Sequence, residues 1–224
     1  MADLDCNDMN FPYRLLNSKY DTMTTKKDKD LIIRSLIVCS KTFTDEYLFL
    51  VEIGTCRGKT GRVIIDIMNR TRRKSIFYTV DIVERVGVEE VKGMFEDSEY
   101  VRGGTLLGGS MGVKNFLPEK IHWIFIDGCH CYECVNAEIK EYVPRVVPGG
   151  FVLFHDCAKV QDNSSYVEKY HGDKRNIGIF RAVHENKKIL SDFKLEEIRR
   201  PKPKKDNKFF GGMHMYRRLG GVEL

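Results

Sequence analysis

Residues 48–61, LFLVEIGTCRGKTG, constrain the fold more than any other stretch of the sequence. Four apolar residues lead into Glu52, Gly54 and Gly58 follow, and a helical pattern of apolar residues then resumes. This order predicts a buried strand, a glycine turn and the start of a helix. Glycines let backbone N–H groups approach a ligand, and a carboxylate can accept hydrogen bonds from a ribose or an amino group. The spacing differs from G-x-G-x-x-G, so a pyrophosphate is not the expected ligand, and an ordinary strand-to-helix turn is the alternative.

Strands and helices alternate from this stretch onward. Apolar strands are predicted near residues 48–53, 76–80, 100–107, 122–127 and 151–154, with helical patterns between them. Two more, near residues 193–198 and 209–217, flank a Pro- and Lys-rich loop and are expected to pair with each other. We therefore predict an α/β fold, with a mostly parallel seven-stranded sheet, helices on both faces and an antiparallel C-terminal hairpin.

Length and composition set limits on location. A chain of 224 residues is expected to form one domain with a full core. Residues 1–20 contain three aspartates and lack the apolar core of a signal peptide, and no run is long enough to span a membrane. Seven cysteines, an odd number, favour reduced thiols over a disulfide framework. These features predict a soluble cytoplasmic protein.

Each predicted parallel strand ends in a polar side chain. Alone, each of these residues is a common turn or helix-capping residue. The carboxyl ends of parallel strands meet at one edge of a sheet, and ligands bind there near the point where the strand order reverses. Five consecutive strands ending this way favour one shared site, formed by Glu52, Asp81, Ser110, Asp127 and the pair His155 and Asp156.

Four motifs carry a family resemblance: VEIGTCRGKTG, YTVD, IFIDGCHCYE and PGGFVLFHD. Together they resemble the cofactor loop, the ribose-binding strand end and the metal-binding core of class I S-adenosylmethionine-dependent methyltransferases. The resemblance covers about residues 23–217 and is to the metal-dependent small-molecule O-methyltransferases. MTTKKDKDLI, starting at Met23, is similar to the segment before the first core helix in caffeoyl-CoA and catechol-type enzymes. The spacing IDGxHxYE with PGGxxxFHD resembles sugar O-methyltransferases.

The resemblance implies a Rossmann-like class I fold and a division of the single domain of residues 1–224. Residues 1–29 would be an N-terminal arm or lid, 30–156 the cofactor-binding core, 157–175 a substrate loop, and 176–224 the C-terminal helix and hairpin. S-adenosylmethionine is the implied cofactor. Its expected contacts are Met23, Thr25, Glu52, Gly54, Thr55, Thr60, Asp81, Gly109, Ser110 and Asp127.

A divalent metal, Mg or Mn, is also implied, with Asp127, His155 and Asp156 as ligands. Relatives usually have an acidic residue at the position of His155, and an imidazole suits Mn²⁺ better than the oxygen-preferring Mg²⁺. A hydrogen-bonded core histidine is the alternative for His155. Asp127 and His130 are the predicted catalytic residues. His130 is the general base, because a neutral imidazole accepts a proton from an alcohol near pH 7, with a helix cap as its alternative.

The cysteines beside these residues raise a rival interpretation, a zinc cluster of Cys129, Cys131, Cys134 and Cys157. Structural zinc usually binds two paired knuckles, whereas three cysteines around the start of a helix are expected to face different directions. Reduced thiols are therefore the prediction.

Charge and partners complete the prediction. The net charge of +5 permits an anionic ligand, but residues 199–208 lack the aromatic side chains on which bases stack. We expect O-methylation of a small-molecule hydroxyl, with a sugar or glycan favoured by His130. An RNA-directed methyltransferase and a non-catalytic cofactor-binding protein are the rivals. Nucleic acid and membrane are not expected partners, and a homodimer is left open.

Overall fold

The computed structural model describes residues 26–82, 86–157, 175–199 and 212–220. Within these ranges the helices are α1 (Lys26–Thr42), α2 (Lys59–Arg70), α3 (Val86–Glu96), α4 (Tyr132–Tyr142) and α5 (Arg175–Glu185). The strands are β1 (Leu48–Ile53), β2 (Ser75–Asp81), β3 (Val101–Leu107), β4 (Ile121–Ile126), β5 (Val146–His155), β6 (Phe193–Arg199) and β7 (Met213–Arg218). Within the described ranges, no helix combines the length and apolar character needed to cross a bilayer.

The strands form one sheet in the order β3-β2-β1-β4-β5-β7-β6. Strands β1 to β5 are parallel, and β7 runs antiparallel to both β5 and β6. The last strand in sequence therefore lies between β5 and the edge strand β6. This confirms the predicted α/β fold, and the strand order reverses where β1 meets β4.

Helices cover both faces of the sheet, as predicted. Side chains alternate along a strand, so Leu48 and Leu50 of β1 pack in one apolar cluster, and Val51 and Ile53 pack in the other. The first cluster includes side chains of α1 and α2, and the second includes those of α4 and α5. Strands β1 and β4 are buried along nearly their whole length, as parallel strands between two helical layers must be.

Helix α1 places a charged residue beneath the carboxyl edge of the sheet. Its predicted apolar stripe, which includes Leu31 and Leu36, is fully buried. The sequence predicts a helix that is capped by Asp28 or Asp30 and runs to about Thr42, because aspartate is a preferred N-cap residue. The predicted cap is wrong, because α1 already includes Lys26. Asp28 instead lies in the first turn and is only 1% exposed.

Several expectations fall outside the described residues. They include most of the N-terminal arm, nearly all of the substrate loop and most of the basic run at residues 199–208. The sequence also predicts one helix marked by Ile179, Val183 and Leu190. The observed helix ends at Glu185, and Leu190 lies in the short 3-10 turn Ile189–Asp192.

Candidate active site

The carboxyl edge of the sheet brings together side chains that are far apart in sequence. Asp127 directly follows β4, and its backbone N–H donates to the carbonyl of Ile53 at the end of β1 (2.8 Å). Glu52 and Asp81 lie near the ends of β1 and β2, and Asp156 follows β5. These four acids therefore share one edge, at the place where the strand order reverses.

Glu52 is fully buried, and only one of its two carboxylate oxygens has a hydrogen-bond partner among the described residues. The Thr79 hydroxyl donates to Glu52 Oε2 (2.5 Å), and the Thr55 hydroxyl lies 2.5 Å from that of Thr79. Within the described part of the chain, Glu52 Oε1 has no hydrogen-bond partner. Burial, aided by the charges of Asp127 and Asp81, raises the pKa of Glu52 to about 8. A buried acceptor without a partner indicates a place where a ligand donor can bind.

The loop after β1 needs its glycine. Gly54 has φ 101°, and a Cβ there would lie 2.2 Å from the carbonyl oxygen of Asp127. The loop turns again at Cys56 (φ 48°), whose backbone N–H donates to Asp81 Oδ2 (2.6 Å). Thr60 follows in the first turn of α2 and is partly buried. The loop thus orients Asp81 and contacts the end of β4.

Ser110 follows β3, the strand next to β2, and forms hydrogen bonds with two side chains of α4. Its hydroxyl donates to Glu138 Oε1 (2.6 Å), and Tyr142 donates to its carbonyl oxygen. Burial raises the pKa of Glu138 to about 7. Gly109, one residue earlier, is exposed. The other two predicted cofactor contacts, Met23 and Thr25, lie outside the described residues.

Asp127, His130 and Asp156 converge on one point. His130 Nε2 lies 3.7 Å from Asp127 Oδ1 and 3.6 Å from Asp156 Oδ2. One ligand atom from each residue lies within 4.8 Å of the others, as a shared metal ion requires. Burial disfavours the charged forms of both Asp127 and His130. His155 and His130 nevertheless lower the pKa of Asp127 to about 2, and the two aspartates raise the pKa of His130.

His155 contacts both aspartates, but it is not in the group of Asp127, His130 and Asp156 whose ligand atoms lie within 4.8 Å of one another. Its Nδ1 hydrogen-bonds Asp127 Oδ1 (3.0 Å), and its Nε2 lies 3.7 Å from Asp28 Oδ2. Burial disfavours the imidazolium, yet Asp127, Asp28 and Asp156 together hold the pKa of His155 well above its usual value. The ring is 4% exposed and lies behind Asp127, which corresponds to the buried alternative considered from the sequence. His130 takes the third place in the cluster instead.

The three cysteines around His130 also differ from expectation. They were expected to face different directions, but the sulfur atoms of Cys129, Cys131 and Cys134 lie within 4.8 Å of one another. The Cys129 and Cys131 sulfurs are 3.1 Å apart. Cys157 is buried and is not in this group.

Sequence reasoning missed three residues of the site: Thr79, Asp28 and Glu138. A signal existed for Thr79, because it lies two residues before Asp81 on β2 and so points to the same side of the sheet. No local pattern distinguishes Asp28 or Glu138 from ordinary helix-surface acids. Their roles depend on which strand end each helix covers.

Comparisons with known proteins relate this chain to methyltransferases. Residues 51–157 match the family model described as a methyltransferase domain. Comparison with curated proteins gave no match.

Three solved structures illustrate the shared fold. One is the O-methyltransferase TomG from Streptomyces achromogenes, which is involved in tomaymycin synthesis and was solved in complex with SAM. Its sequence is 15% identical, the TM-score is 0.61, and the match covers 93% of this chain and 86% of TomG. The Bacillus cereus O-methyltransferase in complex with SAH is 16% identical with TM-score 0.59 over 96% and 94%. The SAH-bound Podospora anserina methyltransferase PaMTH1 is 11% identical with TM-score 0.56 over 88% and 80%. Residues 51–157 are therefore similar to a methyltransferase domain, and the chain has the Rossmann-like fold of these methyltransferase structures.

Proposed function

We propose that the chain is an S-adenosylmethionine-dependent O-methyltransferase that uses a divalent metal and methylates a hydroxyl of a small molecule, preferentially a sugar or other polyhydroxylated acceptor. One observation carries the proposal: the cluster of Asp127, His130 and Asp156 lies at the same sheet edge as Glu52 and Asp81. Groups suited to the donor and groups suited to activating an acceptor are thus adjacent. TomG and the Bacillus cereus enzyme, both O-methyltransferases with SAM or SAH bound, support this assignment.

The residues present fit the donor. Glu52 Oε1 is buried and lacks a partner within the described chain, so it can accept a hydrogen bond from the donor's ammonium group. Asp81 is partly exposed and offers carboxylate oxygens to the two hydroxyls of a ribose. Gly109 and Ser110 would lie beside the adenine, and Thr55 and Thr60 beside the methionine end.

The residues present also fit a divalent ion. Asp127 and Asp156 offer carboxylate oxygens, which suit Mg²⁺ or Mn²⁺, and the imidazole of His130 lies beside them. Such an ion would stabilise the negative charge that develops on the acceptor oxygen and fix that oxygen in place. His155 and Asp28 would act behind Asp127, since their contacts fix the orientation of its carboxylate.

His130 is the proposed general base. Its ring nitrogen faces the space between Asp127 and Asp156 and is partly exposed, so an acceptor hydroxyl can reach it. Aligning the reacting groups is worth about 7–11 kcal/mol, and proton transfer to a base adds on the order of 10²–10⁴ in rate. One nitrogen cannot ligate an ion and accept a proton at the same time. The base role therefore requires that His130→Ala still bind the metal.

The test is methyl transfer from labelled S-adenosylmethionine to a panel of glycosides and catechols, with Mn²⁺, with Mg²⁺ and with EDTA. We expect transfer to a glycoside in Mn²⁺, loss in EDTA, and recovery when Mn²⁺ is restored. Asp127→Asn with Asp156→Asn should abolish turnover, whereas Asp66→Asn, at a partly exposed acid on α2, should not. Full activity in EDTA contradicts the metal role, and transfer only to catechols contradicts the sugar assignment.

A further inference from the structure

A second cluster of metal-ligating groups lies beside the site just described. Cys129 follows the end of β4, Cys131 is the residue that precedes α4, and Cys134 lies in its first turn. The backbone of Cys131 is extended (φ −75°, ψ 150°). A side chain at this cap position points toward the residue three positions later, which is why the sulfurs of Cys131 and Cys134 lie on the same side of the turn. The loop from β4 then brings Cys129 to them, with 3.1 Å between its sulfur and that of Cys131.

The spacing of the three sulfurs suits a single ion. Zinc–thiolate bonds are about 2.3 Å long, so three thiolates sharing one ion have sulfurs about 4 Å apart. The three sulfurs here lie within 4.8 Å of one another, so small side-chain rotations bring all three to that distance. Cys129 is exposed, which leaves a fourth position open to solvent. We propose that Cys129, Cys131 and Cys134 bind a thiophilic divalent cation of the zinc class.

This site is chemically distinct from the carboxylate site. Thiolates select soft and borderline metals, whereas carboxylates suit Mg²⁺ and Mn²⁺. His130 lies between two of the cysteines in sequence, yet its Nε2 faces Asp127 and Asp156. An ion held by the three sulfurs fixes the backbone on both sides of His130 to the first turn of α4. The proposal does not depend on methyl transfer, because ion binding is measured directly.

The test is titration of the full chain with Cd²⁺ after reduction with a phosphine and removal of bound metals. We expect the charge-transfer absorbance of three thiolates from one Cd²⁺ at the sulfurs, and a Cd²⁺ at the carboxylate site adds no such band. Replacing any one of the three cysteines by serine should lower Cd²⁺ affinity by more than the roughly 10–100-fold typical of residues outside the ligand shell. Cys56→Ser removes another partly exposed cysteine and should leave the thiolate absorbance unchanged. Asp127→Asn with Asp156→Asn should also leave it unchanged.

X-ray absorption of the wild-type chain loaded with one equivalent of Zn²⁺ provides a second measurement that needs no variant. It should show three sulfur neighbours at about 2.3 Å. Fewer than two sulfur neighbours, or an undiminished thiolate band in Cys131→Ser, overturns the proposal.

Discussion

Replacing Glu52 by Gln should remove a large part of the pH dependence of folding stability. Glu52 is fully buried, and burial raises its pKa from 4.5 to about 8. The folded state therefore binds this proton more tightly than the unfolded chain does. The resulting stability is fully present below pH 4.5 and is lost as the pH rises toward 8. At about 1.4 kcal/mol per pH unit, the full loss for Glu52 is about 5 kcal/mol.

The assay is urea unfolding of both chains in EDTA between about pH 5 and pH 9. Gln has nearly the same shape as Glu, and its carbonyl can accept the hydrogen bond from Thr79, but it carries no titrating group. The stability of Glu52→Gln relative to wild type should therefore rise by about 4 kcal/mol across this range. Glu138, with a pKa raised to about 7, adds a slope to both chains that cancels in the difference. A difference that stays constant with pH refutes the assignment of this proton to Glu52.

Three further outcomes are expected. Asp81→Ala should weaken donor binding on the order of 10–100-fold in calorimetry, because it removes a charged hydrogen-bond acceptor worth about 1.5–3 kcal/mol, and unchanged affinity would place the ribose elsewhere. His130→Ala should lower kcat on the order of 10²–10⁴ while donor and Mn²⁺ affinities stay near wild type, and a loss of Mn²⁺ affinity would make it a ligand instead. Gly54→Ala should destabilise the fold by about 2–5 kcal/mol, because its Cβ would strike Asp127. Gly104→Ala, with open space at its Cβ, is the matched control and should change thermal unfolding little.

The sheet edge could be predicted because it follows from local patterns. Parallel strands read as apolar runs, and each run ended in a polar residue that had to project from the same edge. Glu52, Asp81, Asp127 and Asp156 accordingly lie together. The structure adds the strand order, which local patterns do not encode, including the place of β7 between β5 and β6.

The orientation of His155 was only partly predictable. Alternation along β5 puts His155 on the same face as Phe151 and Leu153, toward α1, and that signal was present in FVLFH. Its ion pair with Asp28 was not predictable, because the two residues are far apart in sequence and the start of α1 was misplaced. The backbone of Asp156 has φ 51°, and the Asp156 side chain lies near His130. No residue type in the sequence predicts that turn.

The thiol cluster could not be predicted from spacing alone. The distances between the sulfurs depend on the extended backbone at Cys131 and on where the loop after β4 places Cys129. The expectation that three cysteines around the start of a helix face different directions did not take this local geometry into account.

The position of β7 has a consequence for synthesis of the protein on the ribosome. Residues 213–217 pair with residues 151–155 on the outer side of β5, the strand that precedes Asp156. A nascent chain that has emerged only as far as β6 therefore exposes an unpaired strand edge, open to pairing with other chains. Completion of this part of the sheet is expected to wait until residues 213–217 have left the ribosome, and chains that stop before residue 213 should be aggregation-prone.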